Sequence, residues 1–247
     1  MLRRVFAFLL LLTLAAAPAR ADEAFRIGVL NDQSGPYADL SGPGGTESAR
    51  MAIEDFGGSV LGTPIELLVA DHQNKVDVGL AVARQWYDAR GVKAIFDITN
   101  SGVGLAVQDL AKARDRIVIF DSASSSDLTG KACSPNGIQW NAENWSNGVA
   151  LMRLLIKQKF DSFFFITTDY AFGASLEADA RDAIAKAGGN VVGSVRSPLN
   201  TADFSSFLIA AHPSAVQIAR RQWFSEGRSA GATSARSPER SFGDLKN

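Results

Sequence analysis

Cysteine occurs once in the 247 residues, at Cys133, so no disulfide can form within the chain and the core must hold the fold. Histidine occurs only at His72 and His212, and no His, Cys and carboxylate group has metal-ligand spacing, which argues against a metal centre. Neither sign of charge is in excess: 25 basic and 26 acidic side chains argue against a nucleic-acid footprint and a polybasic membrane surface. No stretch approaches the roughly 20 apolar residues of a membrane helix, so stable membrane insertion is not expected.

Motifs for chemistry are also missing. Gly42-Pro43-Gly44 is followed by Glu47 where a dinucleotide loop needs its third glycine, and no Gly-Lys-Ser/Thr occurs. The stretch 57–62, Gly-Gly-Ser-Val-Leu-Gly, misses a nucleophile elbow by one residue and reads as a solvent turn. Asp71 could mimic a ribose-binding acid, but the loop after the first strand is too long for that fingerprint. His72, in the polar Ala-Asp-His-Gln-Asn-Lys stretch, reads as a surface or hydrogen-bonded loop histidine, and Glu54-Asp55 as a solvated helix face. The expectation is a non-enzymatic protein with no cofactor and no metal.

What is present begins with an address. Arg3 and Arg4 precede an apolar run over 5–17 and the small-residue pattern Ala19-Arg20-Ala21, together a secretory signal over residues 1–21. The mature chain would begin at Asp22 and be periplasmic. With 46% hydrophobic residues it can bury a core.

From Phe25 to about Ala211, short apolar runs alternate with helical stripes. Strands are expected at 25–30, 65–70, 94–98, 117–120, 163–167 and 191–195. The stripes are Ala49, Ala52, Ile53 and Phe56; Val76, Leu80, Ala83 and Tyr87; Trp145, Val149, Met152 and Ile156; and Leu176, Ala180, Ala183, Ile184 and Ala187. This alternation predicts the α/β class, with Rossmann-like parallel sheets covered by helices. Right-handed crossovers then gather the turns after successive strands at the carboxyl edge, where such folds bind ligands.

Cys133-Ser134-Pro135-Asn136-Gly137 interrupts the alternation, giving an expected division into an N-terminal lobe over 22–136 and a partial second lobe over 137–211. Residues 212–247 lose both periodicities and are rich in Arg, Ser, Ala and Gly; they read as a disordered tail, produced by a frame slip or cut near residue 210.

The carboxyl-edge turns carry the candidate site. At Thr99-Asn100-Ser101 the next helix begins with unpartnered amides, which suit a carboxylate, although Asn100 or Ser101 could equally cap that helix. After the strand at 117–120, Ser122, Ser124, Ser125 and Ser126 offer more hydroxyls than one cap requires. In the second lobe Thr167-Thr168-Asp169 leads to Tyr170 and Phe172, which could stack on a ligand or pack under the turn, an ambiguity shared by Trp140 and Trp145.

The stretches Ile-Gly-Val-Leu-Asn-Asp-Gln-Ser-Gly-Pro-Tyr from Ile27, Asn-Ser-Gly-Val-Gly-Leu-Ala-Val from Asn100, Asp-Leu-Thr-Gly-Lys-Ala-Cys-Ser-Pro from Asp127, Thr-Thr-Asp-Tyr-Ala-Phe-Gly from Thr167 and Asn-Thr-Ala-Asp-Phe-Ser-Ser-Phe-Leu from Asn200 resemble, in order, the type I periplasmic solute-binding proteins of ABC importers, branched-chain amino acid group. The resemblance implies two α/β lobes on a hinge, closing on a small amino acid, amide or aromatic carboxylate and delivering it to a membrane permease. It implies that Ser101 holds the ligand carboxylate and that Ser122 and Ser124 contact its head. It places Leu40, together with Tyr37 on the same loop, and Phe172 beside Tyr170 where aromatics flank the ligand; Leu40 departs from the family's aromatic. A ligand-sensing domain of the same fold is the alternative.

Overall fold

The computed structural model describes residues 24–211; the expected signal over 1–21 and the tail over 212–247 lie outside the described residues. Strand β1 (Phe25–Asn31) leads through a loop to α1 (Gly42–Asp55), and a hairpin of β2 (Ser59–Val60) and β3 (Thr63–Asp71) follows. Then come α2 (Val76–Ala89), β4 (Ala94–Phe96), α3 (Ser101–Arg114), β5 (Ile117–Phe120) and β6 (Gly137–Gln139). A second unit holds α4 (Asn144–Lys157), β7 (Ser162–Thr168), α5 (Ala171–Lys186) and β8 (Asn190–Ser197). Backbone over 205–211 is again helical.

The first sheet has the order β2-β3-β1-β4-β5-β6 and is parallel throughout except for the β2–β3 pair. In the second, β7 and β8 pair in parallel. β1 lies between β3 and β4, in register Val29 with Val69 and Phe96, and its last four residues are buried. The chain passes from β1 to β3 on one side, then returns to β4 on the other. Between β1 and β4 the connections therefore diverge, and an open α/β sheet has its ligand crevice above such a switch point.

The core explains this order. Leu30, Ile95, Ile98, Val103, Val107, Val118 and Phe120 form one buried cluster with Trp86 and Tyr87 from α2. Each fully buried aliphatic or Phe side chain contributes about 1.5 to 3 kcal/mol. Gly28 is bare because the Trp86 ring lies where its Cβ would stand, which lets α2 settle directly on β1. A smaller cluster of Val149, Met152, Ala180, Ala183 and Ile184 joins α4 to α5 over β7 and β8.

The structure corrects the sequence reading in places. β4 stops at Phe96, short of the expected 98, because Asp97 takes a left-handed φ of 60° that ends the ladder. The stretch 57–62 is a hairpin whose turn residues Leu61 and Gly62 both have positive φ, as a type I′ turn requires. The division expected between residues 136 and 137 falls at the start of a strand: β6 pairs with β5 and extends the first sheet, so the chain leaves that sheet only after Gln139. In α1 the buried face is Gly42, Thr46 and Ala49, while Phe56 is exposed, since the first turn of this helix and not its end lies against the sheet edge. Trp140 and Trp145 are exposed as well, so neither packs in the core.

Candidate functional site

Three turns meet above the β1/β4 switch point and its neighbour β5. After β1, Asp32 is fully buried and organises the loop: its carboxylate accepts from the Gly35 amide at 2.8 Å, the Tyr37 amide at 2.8 Å and Asn74 Nδ2 at 2.6 Å. The loop end is fixed by a 2.6 Å hydroxyl contact between Ser41 and Thr99, both buried.

After β4, Asn100 is the cap of α3. Its Oδ1 accepts from the amides of Gly102 at 2.9 Å and Val103 at 3.2 Å. Those amides are thus consumed inside the protein and do not face a ligand, so the capping role holds for Asn100. Ser101 is different. It is 1% exposed, its Oγ has no hydrogen-bond partner, and its amide, as the first of the helix, has none within the helix. A buried hydroxyl left unpaired costs about 1 to 3 kcal/mol, so such groups are rare without a use. Asn100→Ala is expected to cost about 1 kcal/mol of stability, seen as a lower midpoint in urea at an unchanged slope.

After β5, each serine hydroxyl already has work. Ser122 Oγ donates to Asp97 Oδ1 at 3.2 Å, and Ser124 Oγ donates to the Ser122 carbonyl at 3.0 Å. Ser125 caps the short 3-10 turn Ser126–Leu128, and Ser126 donates to Asp179 of α5 at 2.6 Å. The surplus of hydroxyls expected there is absorbed by these bonds. The β4 and β5 turns are nevertheless adjacent, because the Ala123 amide donates to the Ile98 carbonyl at 3.0 Å.

Asp97, unnoticed in the sequence, lies in the middle. It is 5% exposed; Asn31 Nδ2 donates to its Oδ2 at 2.6 Å, and a Cβ at Gly45 would overlap that oxygen. Burial above all, with the Asp121 carboxylate adding, pushes Asp97 up to about 6, against the Asn31 and Ser122 hydrogen bonds that favour its charge. Its position in the Ile-Phe-Asp-Ile run gave only a strand residue; no short-range pattern marks a carboxylate met by Asn31 from another strand.

The second unit supplies the opposing wall. Tyr170 and Phe172 stack with ring centroids 5.9 Å apart, and the Tyr170 hydroxyl meets that of Tyr37 at 2.6 Å. Burial first, and then Tyr37, hold the Tyr170 phenol far above its ordinary range, so it stays protonated. Asn144, at the start of α4, donates its amide to the Ser124 carbonyl at 2.7 Å and its Nδ2 to the Phe172 carbonyl at 2.8 Å. It thereby joins the β5 turn to the β7 turn, a role the sequence did not reveal. Leu40, by contrast, is 72% exposed, and its amide only closes the loop onto the Tyr37 carbonyl at 2.9 Å.

Two other features carry less. A cavity of about 610 Å³ lies between α4, β7 and α5, lined by Leu151, Met152, Phe163, Phe165, Phe172 and Leu176. The one charged residue in its wall is the acid Glu177, already bound to Thr167 and Arg181, and the wall's other polar side chains are Asn147, Thr167 and Thr168, the last with a buried hydroxyl that has no partner. His72 is fully buried and not at the surface; its Nδ1 accepts from the Asn74 amide at 3.0 Å. Burial pushes its imidazole below the usual range despite Asp32 and Asp71, leaving a neutral structural group. Among the described residues no group of three or more His, Cys, Asp or Glu could hold a metal ion, and no helix is long and apolar enough to cross a membrane.

A parallel α/β sheet with polar turns converging at its switch point, opposed by an aromatic turn from a second parallel sheet, defines a two-unit ligand-binding fold. The chain belongs to the periplasmic binding protein family, whose profile matches residues 24–220. A periplasmic binding protein from Burkholderia mallei is 39% identical over 78% of this chain and 51% of its own, with a TM-score of 0.75. A branched-chain amino acid ABC transporter periplasmic ligand-binding protein from Burkholderia xenovorans is 38% identical over 77% of this chain and 51% of its own, with a TM-score of 0.62. Leu/Ile/Val-binding protein homolog 6 of Brucella abortus is 25% identical over 206 residues, 83% of this chain and 52% of that protein. The chain thus spans about half the length of the relatives it matches.

Proposed function

We propose that this chain is the solute-binding part of an ABC importer, exported to the periplasm behind a signal peptide at residues 1–21, and that it captures a small carboxylate between two lobes for delivery to a permease. The first lobe runs from Asp22 through β6, the second from α4 onward. Ser101, Ser122 and Ser124 contact the ligand head, and Tyr37, Tyr170 and Phe172 flank its body. Asn100 contributes by capping α3, which fixes Ser101. Leu40 contributes nothing polar.

The observation that carries this reading is the Ser101 hydroxyl, buried and without a partner, beside the first amide of α3 at the switch point. A charge-assisted hydrogen bond to a carboxylate contributes about 1.5 to 3 kcal/mol, and the helix dipole a further 0.3 to 1 or so. With apolar burial against the aromatics, several such contacts reach the roughly 8 kcal/mol of a micromolar complex. Ser101 is buried and the Tyr37 and Tyr170 hydroxyls meet across the cleft, which supports a ligand that enters when the lobes part and is enclosed when they meet. A ligand favours the closed form only through contacts made to both sides.

Calorimetric titration of the purified chain with leucine, phenylacetate, 4-hydroxybenzoate and short amides tests this. Saturable binding of at least one acid is expected, and heats of dilution alone for all of them would overturn the reading. Tyr37→Phe, which removes the hydroxyl contact across the cleft, is expected to weaken the bound acid by about threefold to tenfold through a faster off-rate, measured by stopped-flow fluorescence.

A further inference from the structure

Resting on that reading of two closing lobes, we infer that Ser126 and Asp179 are a latch outside the ligand site: a positioning pair whose bond holds the lobes together and strengthens the binding of every ligand by the same factor.

The contact crosses from one unit to the other. Ser126 stands in the turn after β5, and its hydroxyl donates to Asp179 Oδ2 of α5 at 2.6 Å. Neither residue belongs to the group proposed to meet the ligand. The start of α5 also touches the first unit: the Tyr170 hydroxyl meets that of Tyr37 at 2.6 Å, and a Cβ added at Gly102 of α3 would lie 4.0 Å from the Ala171 Cβ. At the rise of an α-helix, Asp179 is about 13 Å along the axis from Tyr170. A helix moves as one body, so α5 is fastened to the first unit at two separated points, and parting the tyrosines strains the bond at Asp179.

The surroundings of Asp179 show what the bond does. Burial pushes its carboxyl up, the Ser126 hydrogen bond opposes that, and the carboxylates of Glu143, Asp127 and Asp182 add to the push. Each of those three has a partner of its own. Glu143 accepts from the amides of Trp145 at 2.9 Å and Ser146 at 3.2 Å, Asp127 pairs with Lys131 at 3.0 Å, and Asp182 pairs with Lys186 at 2.6 Å. Among the described residues Asp179 is in no ion pair, and its hydrogen bond comes from the opposite unit. A hydrogen bond to an ionised acceptor is about twice as strong as a neutral one, and this one exists only when the lobes meet. It therefore favours the closed form whatever the cleft encloses. A change in the balance of open and closed forms scales the affinity of every ligand that needs the closed form by one factor.

A double-mutant cycle in the purified chain tests the latch, read by calorimetry and stopped-flow fluorescence with leucine, phenylacetate and 4-hydroxybenzoate. Ser126→Ala leaves the acid among like charges without its donor, and is expected to weaken every probe that binds by about tenfold, through a faster off-rate at an unchanged on-rate. Asp179→Ala removes the bond and the repulsion together, so a loss of only about threefold is expected. The double variant is expected to match Asp179→Ala, the second substitution partly rescuing the first. Ser126→Thr, which keeps the hydroxyl, is expected to bind as the wild type does. Hydrogen exchange of the ligand-free chain reads the latch without any ligand: peptides holding Tyr37 and Tyr170, at the far contact, are expected to exchange faster in Ser126→Ala. Losses that multiply in the double variant, losses that differ from probe to probe, or faster exchange confined to 122–128 and 176–182 overturn the latch while the ligand site stands. If no probe binds, the proposed function fails, and exchange at Tyr37 and Tyr170 decides the latch by itself: faster supports it, unchanged overturns it.

Discussion

Ser101→Ala is expected to weaken any carboxylate bound by this chain by about tenfold to a hundredfold, the equivalent of one charge-assisted hydrogen bond. The same substitution is expected to leave the fold as stable as before or to stabilise it by about 1 kcal/mol, because it deletes a buried hydroxyl that has no protein partner. Loss of affinity with no loss of stability separates a ligand contact from a packing residue. Calorimetry against the tightest acid, run beside thermal unfolding of the empty protein, reads both quantities. A lower melting temperature with unchanged affinity would make Ser101 structural and remove it from the site.

Asp97→Asn has the largest expected effect on stability, and its sign depends on pH. Asp97 rises from 3.8 in the unfolded chain to about 6 in the fold, chiefly through burial. Its contribution is fully present below about pH 4 and is lost as pH rises through about 6, because the folded state then holds an unfavourable buried charge. Asparagine carries no charge, tolerates the left-handed backbone at this position and can still accept from Asn31. A difference of about two units corresponds to roughly 3 kcal/mol, or about 5 to 10 °C in melting temperature for a domain of this size. Asp97→Asn is therefore expected to melt above the wild type at pH 7.5 and together with it near pH 4. A variant that melts below the wild type at pH 7.5 would show that the ionised carboxylate stabilises the fold.

The architecture was legible because the hydrophobic period speaks directly about burial. Strands such as 117–120 and the stripe of Val149 and Met152 fell where expected, since each is a run whose own residues decide it. Asp97 ended β4 early for a reason the run does not contain: its carboxylate is met by Asn31 and Ser122, and a left-handed residue delivers it there. β6 was missed because three residues of edge strand carry too little pattern to stand out from a loop.

The positions of the candidate turns were legible, and the hydrogen-bonding of their side chains was not. Residue types at the ends of strands pointed to Ser101, Ser122 and Ser124, and the topology puts the turns that hold them side by side. How each hydroxyl is oriented depends on partners far along the chain, Asp97 accepting from Ser122 and Asn141 donating to Ser124, and no local motif encodes that. Asn100 illustrates the converse. Its cap is a contact two and three residues ahead, so the sequence contained it, but the same residue type also suits a ligand, and only the Gly102 and Val103 bonds decide between them.

The central claim is that the turns after β4 and β5 and the aromatic turn before α5 grip one small acid together. Amide chemical shifts, followed by nitrogen-edited NMR as the tightest acid is titrated into the chain, test it most directly. The account predicts that the largest shifts fall on Ser101, Ser122, Ser124 and Phe172 and saturate with a single affinity. Saturating shifts centred on the apolar cavity around Leu151 and Phe163, with Ser101 unmoved, would contradict it.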